Sequence, residues 1–312
     1  MVTMQEIKKR FDVVYEEVDK AIVGQREVVE QTIAALLCNG HAYVEGYPGL
    51  AKTMLVKTFA NILDLKFSRI QGTPDLLPSD ITGTYIIDET RGRKEFKFQP
   101  GPIFSNVVLV DEVNRATPKS HSAILEAMQE KQVTVGGSTY KLEEPFFVFA
   151  TGNPLESEGV FVLSEAQKDR FLFKINIAYP PLDDEIKIVD KYHEKDYADI
   201  KFRKVFSRSD IIKLQQLVKQ VPISNELKKY AVELVASTRN KNNLIEYGAS
   251  PRASLYMVSA AKAKALIDGR KYVSKEDIKT MAYPVLRHRI ILSFEAERKG
   301  MSEDEVIKGL LK

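Results

Sequence analysis

A glycine-rich segment between a strand-like run and a helix-like run contains the first residues that could do chemistry. It reads GYPGLAKT and begins at Gly46. In a phosphate-binding loop, glycines such as Gly46 and Gly49 let successive backbone N–H groups face one anion. Lys52 would then reach the outer phosphates, and the hydroxyl of Thr53 would bind magnesium. The segment therefore predicts nucleotide binding, and an ordinary Gly-Pro turn before a helix is the alternative.

One position of this loop departs from the usual phosphate-loop pattern. Ala51 stands where the pattern G-x-x-x-x-G-K-[ST] has its last glycine. Alanine suits that position only if the residue already has helical backbone angles, so we expect helical geometry there.

A pair of acidic residues is the second candidate. The run NVVLVDE indicates a buried strand that ends on Asp111 and Glu112. Ligands bind at the carboxyl edge of the strands in open α/β sheets. Asp111 would hold magnesium through water, and Glu112 would polarise the attacking water. Strands that end in acids are common, so the pair gains its weight from the phosphate loop that precedes it.

An amide at the end of the next strand-like run is the third candidate. The segment ATGNP places Asn153 where it could orient a water molecule without adding charge. A turn-forming Asn-Pro pair is the alternative.

The elements that must position these residues alternate along the first 180 residues. Helical patterns, including one at 4–20 and one after Gly24, separate short apolar runs at 41–46, 65–70, 106–112, 145–153 and 170–177. This alternation predicts a parallel sheet covered by helices. Segments 84–99 and 132–142 read as two inserted hairpins, the second turning at Gly136-Gly137.

The pattern becomes all-helical after Pro180-Pro181, with helices expected at 183–195, 208–220, 224–241, 251–267, 275–290 and 302–311. The sequence therefore predicts an α/β nucleotide-binding core over 1–181 and a small all-helical domain over 182–312.

The composition excludes several classes of protein. The single cysteine, Cys38, rules out a disulfide framework, and the four histidines are too far apart in sequence for a paired metal site. No apolar run approaches the length of a membrane span, and the first residues lack the apolar core of a signal peptide, so we expect a cytoplasmic protein. The net charge of +3 is too small to indicate nucleic-acid binding.

Several long runs resemble the MoxR family of AAA+ ATPases, and the similarity covers nearly the whole chain. These runs are IVGQ at 22–25, GYPGLAKT at 46–53, DEVNRATPKSHSAILEAMQE at 111–130, ATGNPLESEGVFVLSEAQKDRFLF at 150–173 and GASPRA at 248–253. The resemblance implies an AAA+ P-loop core with a five-stranded parallel sheet and hairpin insertions, followed by a helical lid. It also implies homo-oligomeric rings, usually hexamers, that use ATP and Mg²⁺ as chaperones. Such proteins often work with partners that carry von Willebrand factor A domains, in maturing or inserting metal cofactors or in building complexes.

The resemblance also assigns roles to individual residues. Lys52 and Thr53 match the Walker A pair, Asp111 and Glu112 match Walker B, and Asn153 matches sensor 1. Ala51 matches the usual loop of the family.

Further family positions match outside the phosphate loop. Arg170 resembles the arginine finger that reaches a neighbour's γ-phosphate, and Arg252 resembles sensor 2. Val23 and Gly24 are candidates for the adenine pocket. Without the resemblance, Arg170 reads as a surface partner of Asp169, and Arg252 as an ordinary first-turn arginine.

Two residues depart from the family pattern. Gly152 and Ser164 stand where a glutamine and a proline are expected. The first should change the surroundings of Asn153, and the second should affect only the start of a helix.

Three functions follow as hypotheses. The first is an ATP-hydrolysing remodeller of proteins, and the second is a nucleic-acid motor of the same superfamily. Arg91, Arg93 and Lys94 at the first hairpin tip favour the motor, whereas the Gly136-Gly137-Ser138 tip and the lack of an added DNA-binding domain oppose it. The third is a nucleotide-gated scaffold with little turnover, which the presence of Glu112 and Arg170 argues against.

Overall fold

Strands and helices alternate through the first part of the chain, as the sequence predicts. The structure, a computed structural model, describes residues 3–90, 93–153, 161–193, 196–240 and 243–311. Its strands are β1 (Ala42–Gly46), β2 (Phe67–Gln71), β3 (Gly83–Thr90), β4 (Arg93–Pro100), β5 (Val107–Asp111), β6 (Gln132–Val135), β7 (Ser138–Lys141), β8 (Phe147–Gly152), β9 (Phe173–Ile177), β10 (Ile245–Tyr247) and β11 (Ile291–Leu292).

The helices begin before the first strand and dominate the second half of the chain. They are α1 (Met4–Asp19), α2 (Arg26–Leu37), α3 (Lys52–Ile62), α4 (Pro78–Thr82), α5 (Pro118–Glu130), α6 (Glu165–Lys168), α7 (Leu182–Tyr192), α8 (Arg208–Gln220), α9 (Asn225–Ser237), α10 (Pro251–Ile267), α11 (Lys275–Leu286), α12 (Phe294–Arg298) and α13 (Glu303–Leu310). Short 3-10 turns lie at Val113–Arg115 and Tyr197–Asp199.

Five strands form one parallel sheet in the order β2-β5-β8-β1-β9. Both faces of the sheet are covered, because alternate residues of β5 enter two separate apolar clusters. Val107 and Leu109 pack on the side of α1–α3, whereas Val108 and Val110 pack on the side of α5. The five predicted strands are confirmed. The carboxyl ends of β1, β5 and β8 therefore meet at one edge, where the candidate residues follow them.

The two predicted hairpins are present as β3–β4 and β6–β7, and they contact each other. The hydroxyls of Tyr85 and Tyr140 are 2.7 Å apart, and the rings of Phe98 and Tyr140 stack with centroids 4.1 Å apart. A side chain at Gly136 would come within 2.8 Å of the Tyr85 ring. Arg91 at the predicted tip lies outside the described residues.

The described residues from 182 to 311 are largely helical, as predicted, but they also contain two short strands that the sequence pattern did not predict. Strands β10 and β11 pair antiparallel there. Strands of three and two residues are too short to show an alternating pattern, so the sequence could not indicate them. Within the described ranges, no helix has the length and apolar character needed to cross a membrane.

Candidate active site

The loop between β1 and α3 has the shape that the phosphate-loop prediction requires, but Ala51 does not have the expected geometry. Its backbone lies in the left-handed region, with φ 55° and ψ 24°, and it caps the N-terminus of α3. The expectation of a helical Ala51 is therefore wrong. Gly49 also has a positive φ, 85°. These left-handed residues turn the chain sharply before the helix, and an alanine there costs about 1–2 kcal/mol relative to an unstrained residue.

The two Walker A side chains point toward neighbouring parts of the site. Lys52 Nζ donates to the carbonyl oxygen of Gly46 at 2.5 Å, so the lysine folds back over its own loop. Thr53 Oγ1 donates to Asp111 Oδ2 at 3.4 Å, although β8 lies between β1 and β5 in the sheet. The hydroxyl and the carboxylate are thus close enough to serve one cation.

The acidic pair is held by the neighbouring strand β8. Thr151 Oγ1 donates to Asp111 Oδ1 at 2.6 Å. The hydroxyl oxygen of Thr151 also accepts the backbone N–H of Glu112 at 2.9 Å. Glu112 itself has left-handed backbone angles, φ 53° and ψ 49°. Strained backbone of this kind persists only where the surroundings hold it, and it clusters at functional sites.

Two side chains of β2 also contact the acids, and the sequence analysis missed both. Arg69 Nη2 donates to Asp111 Oδ2 at 2.7 Å, and Gln71 Nε2 donates to Glu112 Oε2 at 2.9 Å. Arg115, three residues beyond Glu112, donates to the same Oε2 at 3.1 Å. The available signal was the polar ending of the run LKFSRIQ, but its meaning depends on β2 lying beside β5. The three donors orient the two carboxylates from the side of β2 and from the turn after β5.

A cavity of about 380 Å³ lies at this edge of the sheet. It brings together most of the predicted site residues, and it is lined by Pro48, Gly49, Leu50, Ala51, Lys52, Thr53, Met54, Asp111, Glu112, Thr151, Gly152 and Asn153. Gly46 contributes the carbonyl that Lys52 contacts. A cation, a hydroxyl, two acids and an amide thus surround one space.

Gly152 is explained by a neighbouring tyrosine. A Cβ at Gly152 would lie 2.1 Å from the hydroxyl oxygen of Tyr43. Burial raises the pKa of the Tyr43 phenol, so the ring stays neutral. A tyrosine on β1 therefore fills the space beside Asn153 that a longer side chain at 152 would need. Ser164 occupies the N-cap position of α6, which agrees with an effect on the start of a helix.

Val23 and Gly24 are not among the described residues that line the cavity. Tyr192 of α7 connects the segment before Val23 to helix α3. Its hydroxyl donates to the carbonyl of Ala21 at 2.6 Å and contacts Met54 Sδ at 3.4 Å. Met54 lines the cavity. The adenine-pocket assignment of Val23 and Gly24 stays a prediction.

Arg170 and Arg252 are linked through Asp169, outside the set of residues that line the cavity. Arg252 Nη1 donates to Asp169 Oδ2 at 3.0 Å, and Asp169 immediately precedes Arg170. Neither arginine is among the described residues that line the cavity of about 380 Å³. Asp169 also pairs with Arg289 at 2.8 Å, so two arginines from distant parts of the chain contact its carboxylate.

The donor set of the cavity fits a nucleoside triphosphate with a magnesium ion. Lys52 offers an ammonium group for phosphate, and Thr53 and Asp111 offer the hydroxyl and carboxylate oxygens that Mg²⁺ prefers. Within the described ranges, no cluster of three or more His, Cys, Asp or Glu side chains forms a metal site of another kind. A single protein carboxylate with a hydroxyl is the arrangement expected for Mg²⁺ bound together with phosphates.

Comparison with known proteins agrees with this geometry. Residues 41–173 match the model of the ATPase family associated with various cellular activities (AAA), and residues 237–310 match the AAA lid domain. Chaperone MoxR1 of Mycobacterium tuberculosis is 43% identical over 95% of this chain and 79% of its own. Protein MoxR of Paracoccus denitrificans is 29% identical over 90% of this chain and 88% of its own.

A solved structure shares the fold along nearly the whole chain. The crystal structure of a protein from Cytophaga hutchinsonii, to which ATPase activity has been provisionally assigned, superposes with a TM-score of 0.91 at 42% identity. The match covers 99% of this chain and 95% of that one. The fold and the site define an AAA+ ATPase, a P-loop core followed by a lid. Within that class, the chain belongs to the MoxR family.

Proposed function

We propose that the chain binds and hydrolyses Mg-ATP at the cavity between β1, β5 and β8, and that it does so in a ring of identical subunits. The observation that carries this proposal is the division of the predicted catalytic residues into two places. Lys52, Glu112 and Asn153 line the cavity, whereas Arg170 lies with Asp169 and Arg252 away from it. A site completed by a neighbour's arginine explains this division.

Each side chain then has one task. Lys52 binds the outer phosphates, and Thr53 and Asp111 hold Mg²⁺, which neutralises charge on the phosphates when it is bound. Glu112 accepts a proton from the attacking water, and Asn153 orients that water by hydrogen bonding. Arg170 of an adjacent subunit stabilises the charge that develops on the transferred phosphoryl group. Because Arg252 shares its place with Arg170, it also acts on the neighbour's nucleotide rather than its own.

The family also supports the proposed partners. MoxR1 is named a chaperone. We infer that hydrolysis moves the lid (182–312) relative to the core (1–181) and thereby remodels protein partners. Hexameric rings, a cytoplasmic location and clients with von Willebrand factor A domains belong to this proposal. A nucleic-acid motor would be stimulated by DNA, and a scaffold would turn over little, so an ATPase assay with and without DNA separates these alternatives.

The test of the trans arrangement is a mixing experiment. Arg170→Ala should lose about 10³–10⁵ in turnover, because arginine fingers act on charge that forms during the reaction. Lys52→Ala should also be inactive. Mixing the two variants should restore part of the activity, because some interfaces then join an intact Lys52 site to an intact Arg170. Lys168→Ala, two residues before Arg170, serves as the matched control and should retain activity.

Two results would contradict the proposal. One is an ATPase whose specific activity does not rise with protein concentration. The other is a mixture of Arg170→Ala and Lys52→Ala that remains inactive. A surface ion pair at Arg170 would instead predict near-normal turnover and a loss of about 1 kcal/mol of stability at most.

A further inference from the structure

The segment that carries Arg170 is held by the lid of its own chain. We define the finger segment as residues 169–172, which connect α6 to β9. All four of its carbonyl oxygens accept hydrogen bonds from lid side chains. Arg289 donates to the carbonyls of residues 169, 171 and 172, Tyr256 to that of 170, and His288 to that of 171.

Arg289 is the centre of these contacts. Its Nη2 donates to the carbonyls of Asp169, at 2.9 Å, and of Phe171; its Nη1 donates to that of Leu172 at 3.1 Å. The remaining N–H groups bond to Asp169 Oδ1 at 2.8 Å and to the Val285 carbonyl. An arginine has five N–H donors, so every one is used.

The guanidinium of Arg289 is also deeply buried, with its side chain 1% exposed. Burial lowers the pKa of Arg289 to about 10, so the group remains charged at neutral pH. His288 supports it from the same turn: burial lowers the pKa of its imidazole, and Nε2 lies 3.1 Å from the carbonyl oxygen of Phe171. A carbonyl only accepts, so Nε2 carries the proton.

The side chain of Asp169 joins the finger segment to a second part of the lid. It accepts hydrogen bonds from Ser250 at 3.1 Å and from Arg252 at 3.0 Å, both at the start of α10. Side chains from the start of α10 and from the turn after α11 therefore grip the same four residues. The finger segment and the lid form one unit, whereas the cavity of the same chain lies on the far ends of β1, β5 and β8.

Catalytic groups must be held close to their productive geometry, because a displacement of about 1 Å can cost roughly 10²-fold in rate. The main-chain position of Arg170 is set by the contacts just described. We propose that Arg289 is the positioning residue through which the lid of one subunit sets the reach of its Arg170 into the nucleotide site of the adjacent subunit. The proposal rests on the trans arrangement above. It assigns control of hydrolysis at one site to the lid of the neighbour.

Arg289→Lys is the direct test. Lysine keeps a positive charge near Asp169 but cannot form the planar fork that bonds three carbonyls. We expect kcat to fall about 10²-fold, while the ATP affinity of the variant's own site stays as in wild type. Arg287→Lys is the matched control, since Arg287 lies in the same turn with its side chain 10% exposed but pairs with Asp304 of α13. The control should retain the wild-type kcat.

Mixing separates positioning from simple damage. Arg289→Lys mixed with Lys52→Ala should regain activity, because the Lys52→Ala subunits supply an intact finger to intact sites. Arg289→Lys mixed with Arg170→Ala should stay inactive, because both subunits then lack a working finger. A merely structural defect would not produce this pattern.

The outcomes are distinguishable from failure of the proposed function. If Arg170→Ala with Lys52→Ala shows no rescue, the trans arrangement fails. If that mixture is rescued but Arg289→Lys with Lys52→Ala is not, or if Arg289→Lys weakens ATP binding to its own site, the positioning role is overturned. Should Arg289→Lys unfold at the assay temperature, Asp169→Asn takes its place with the same expected pattern. If Asp169→Asn subunits supplied a working Arg170 to their neighbours as wild-type subunits do, the positioning role of Arg289 would equally be overturned.

Discussion

The hydroxyl of Thr151 and the carboxylate of Asp111, on adjacent strands, are joined by a hydrogen bond of 2.6 Å. Because the same hydroxyl oxygen also accepts the backbone N–H of Glu112, one threonine orients both acids. The order of the strands matters here, since β8 lies directly beside β5 and carries Thr151 to the end of that strand. The acid pair is thus fixed from the side of β8 and contacted by polar side chains from the side of β2.

Lys52→Ala should fold normally but bind ATP poorly. A charge-assisted hydrogen bond is worth about 1.5–3 kcal/mol, so the dissociation constant for ATP should rise at least about tenfold. Titration calorimetry measures this change. Lys57→Ala, an exposed lysine on the same helix α3, is the control and should bind as wild type does. Unchanged affinity in Lys52→Ala would remove the phosphate-loop assignment.

Glu112→Gln should bind Mg-ATP about as well as wild type and hydrolyse it slowly. The amide keeps the shape of the side chain but is a poor proton acceptor, and general-base catalysis typically contributes about 10²–10⁴ in rate. Binding is followed by titration and turnover by phosphate release. Glu130→Gln, at the exposed end of α5, is the control. Near-normal turnover in Glu112→Gln would mean that another group accepts the proton.

Ala51→Gly should stabilise the protein slightly. The left-handed backbone of Ala51 costs about 1–2 kcal/mol, and the greater chain entropy of unfolded glycine offsets about 0.5–1 kcal/mol of that gain. Denaturant unfolding should show that the free energy of unfolding increases by up to about 1 kcal/mol. Ala123→Gly, within the right-handed helix α5, should instead lose about 1 kcal/mol. A destabilised Ala51→Gly would show that the strain at Ala51 is absent in solution.

Acidic pH should destabilise the protein in part through His41. Its Nδ1 accepts the backbone N–H of Val148, and its Nε2 lies 3.0 Å from the Met128 carbonyl, so the buried ring is held neutral. Burial lowers the pKa of His41 to about 4, from about 6.5 in an unfolded chain. The unfolded state therefore binds the proton first, and stability falls as the pH is lowered from about 6.5 to about 4.

The full effect of His41 is about 3 kcal/mol. The measurement is the free energy of unfolding across that pH range for wild type and His41→Gln. The variant should show a flatter dependence over pH 4–6.5, although carboxylates that titrate at lower pH still contribute. His193→Gln, at an exposed position, should follow the wild-type curve. Equal slopes for wild type and His41→Gln would argue against a neutral buried ring.

The sequence predicted the sheet and most of the cavity because these features are local. Each strand is an apolar run, and the site residues follow β1, β5 and β8 directly. Arg69 and Gln71 were missed because their role arises from the side-by-side placement of β2 and β5, which no local pattern reports. The geometry of Ala51 was mistaken because the loop imposes backbone angles against the preference of its residue.

The placement of Arg252 in the fold could not be predicted from the sequence either. Its motif predicts a helix start, and Pro251 does begin α10. Which nucleotide the side chain serves depends on how the lid sits against the core, and that is decided by contacts such as Arg289 with the carbonyls of 169–172. These contacts join residues more than 100 positions apart.

The contact between the two hairpins lies near the base of a long arm, the hairpin β3–β4. Strands β3 and β4 have eight residues each and pair over their full length, which corresponds to about 26 Å. The stack of Phe98 on Tyr140 lies two residues from the base of this arm and joins it to the second hairpin. The paired ends of the strands lie five residues beyond the stack, about 17 Å away, so a rotation of about 10° at the stack would displace them by about 3 Å. A small turn at the base would therefore move the ends of the strands farther than it moves the exposed pair Ile87 and Phe96, which lies nearer the stack.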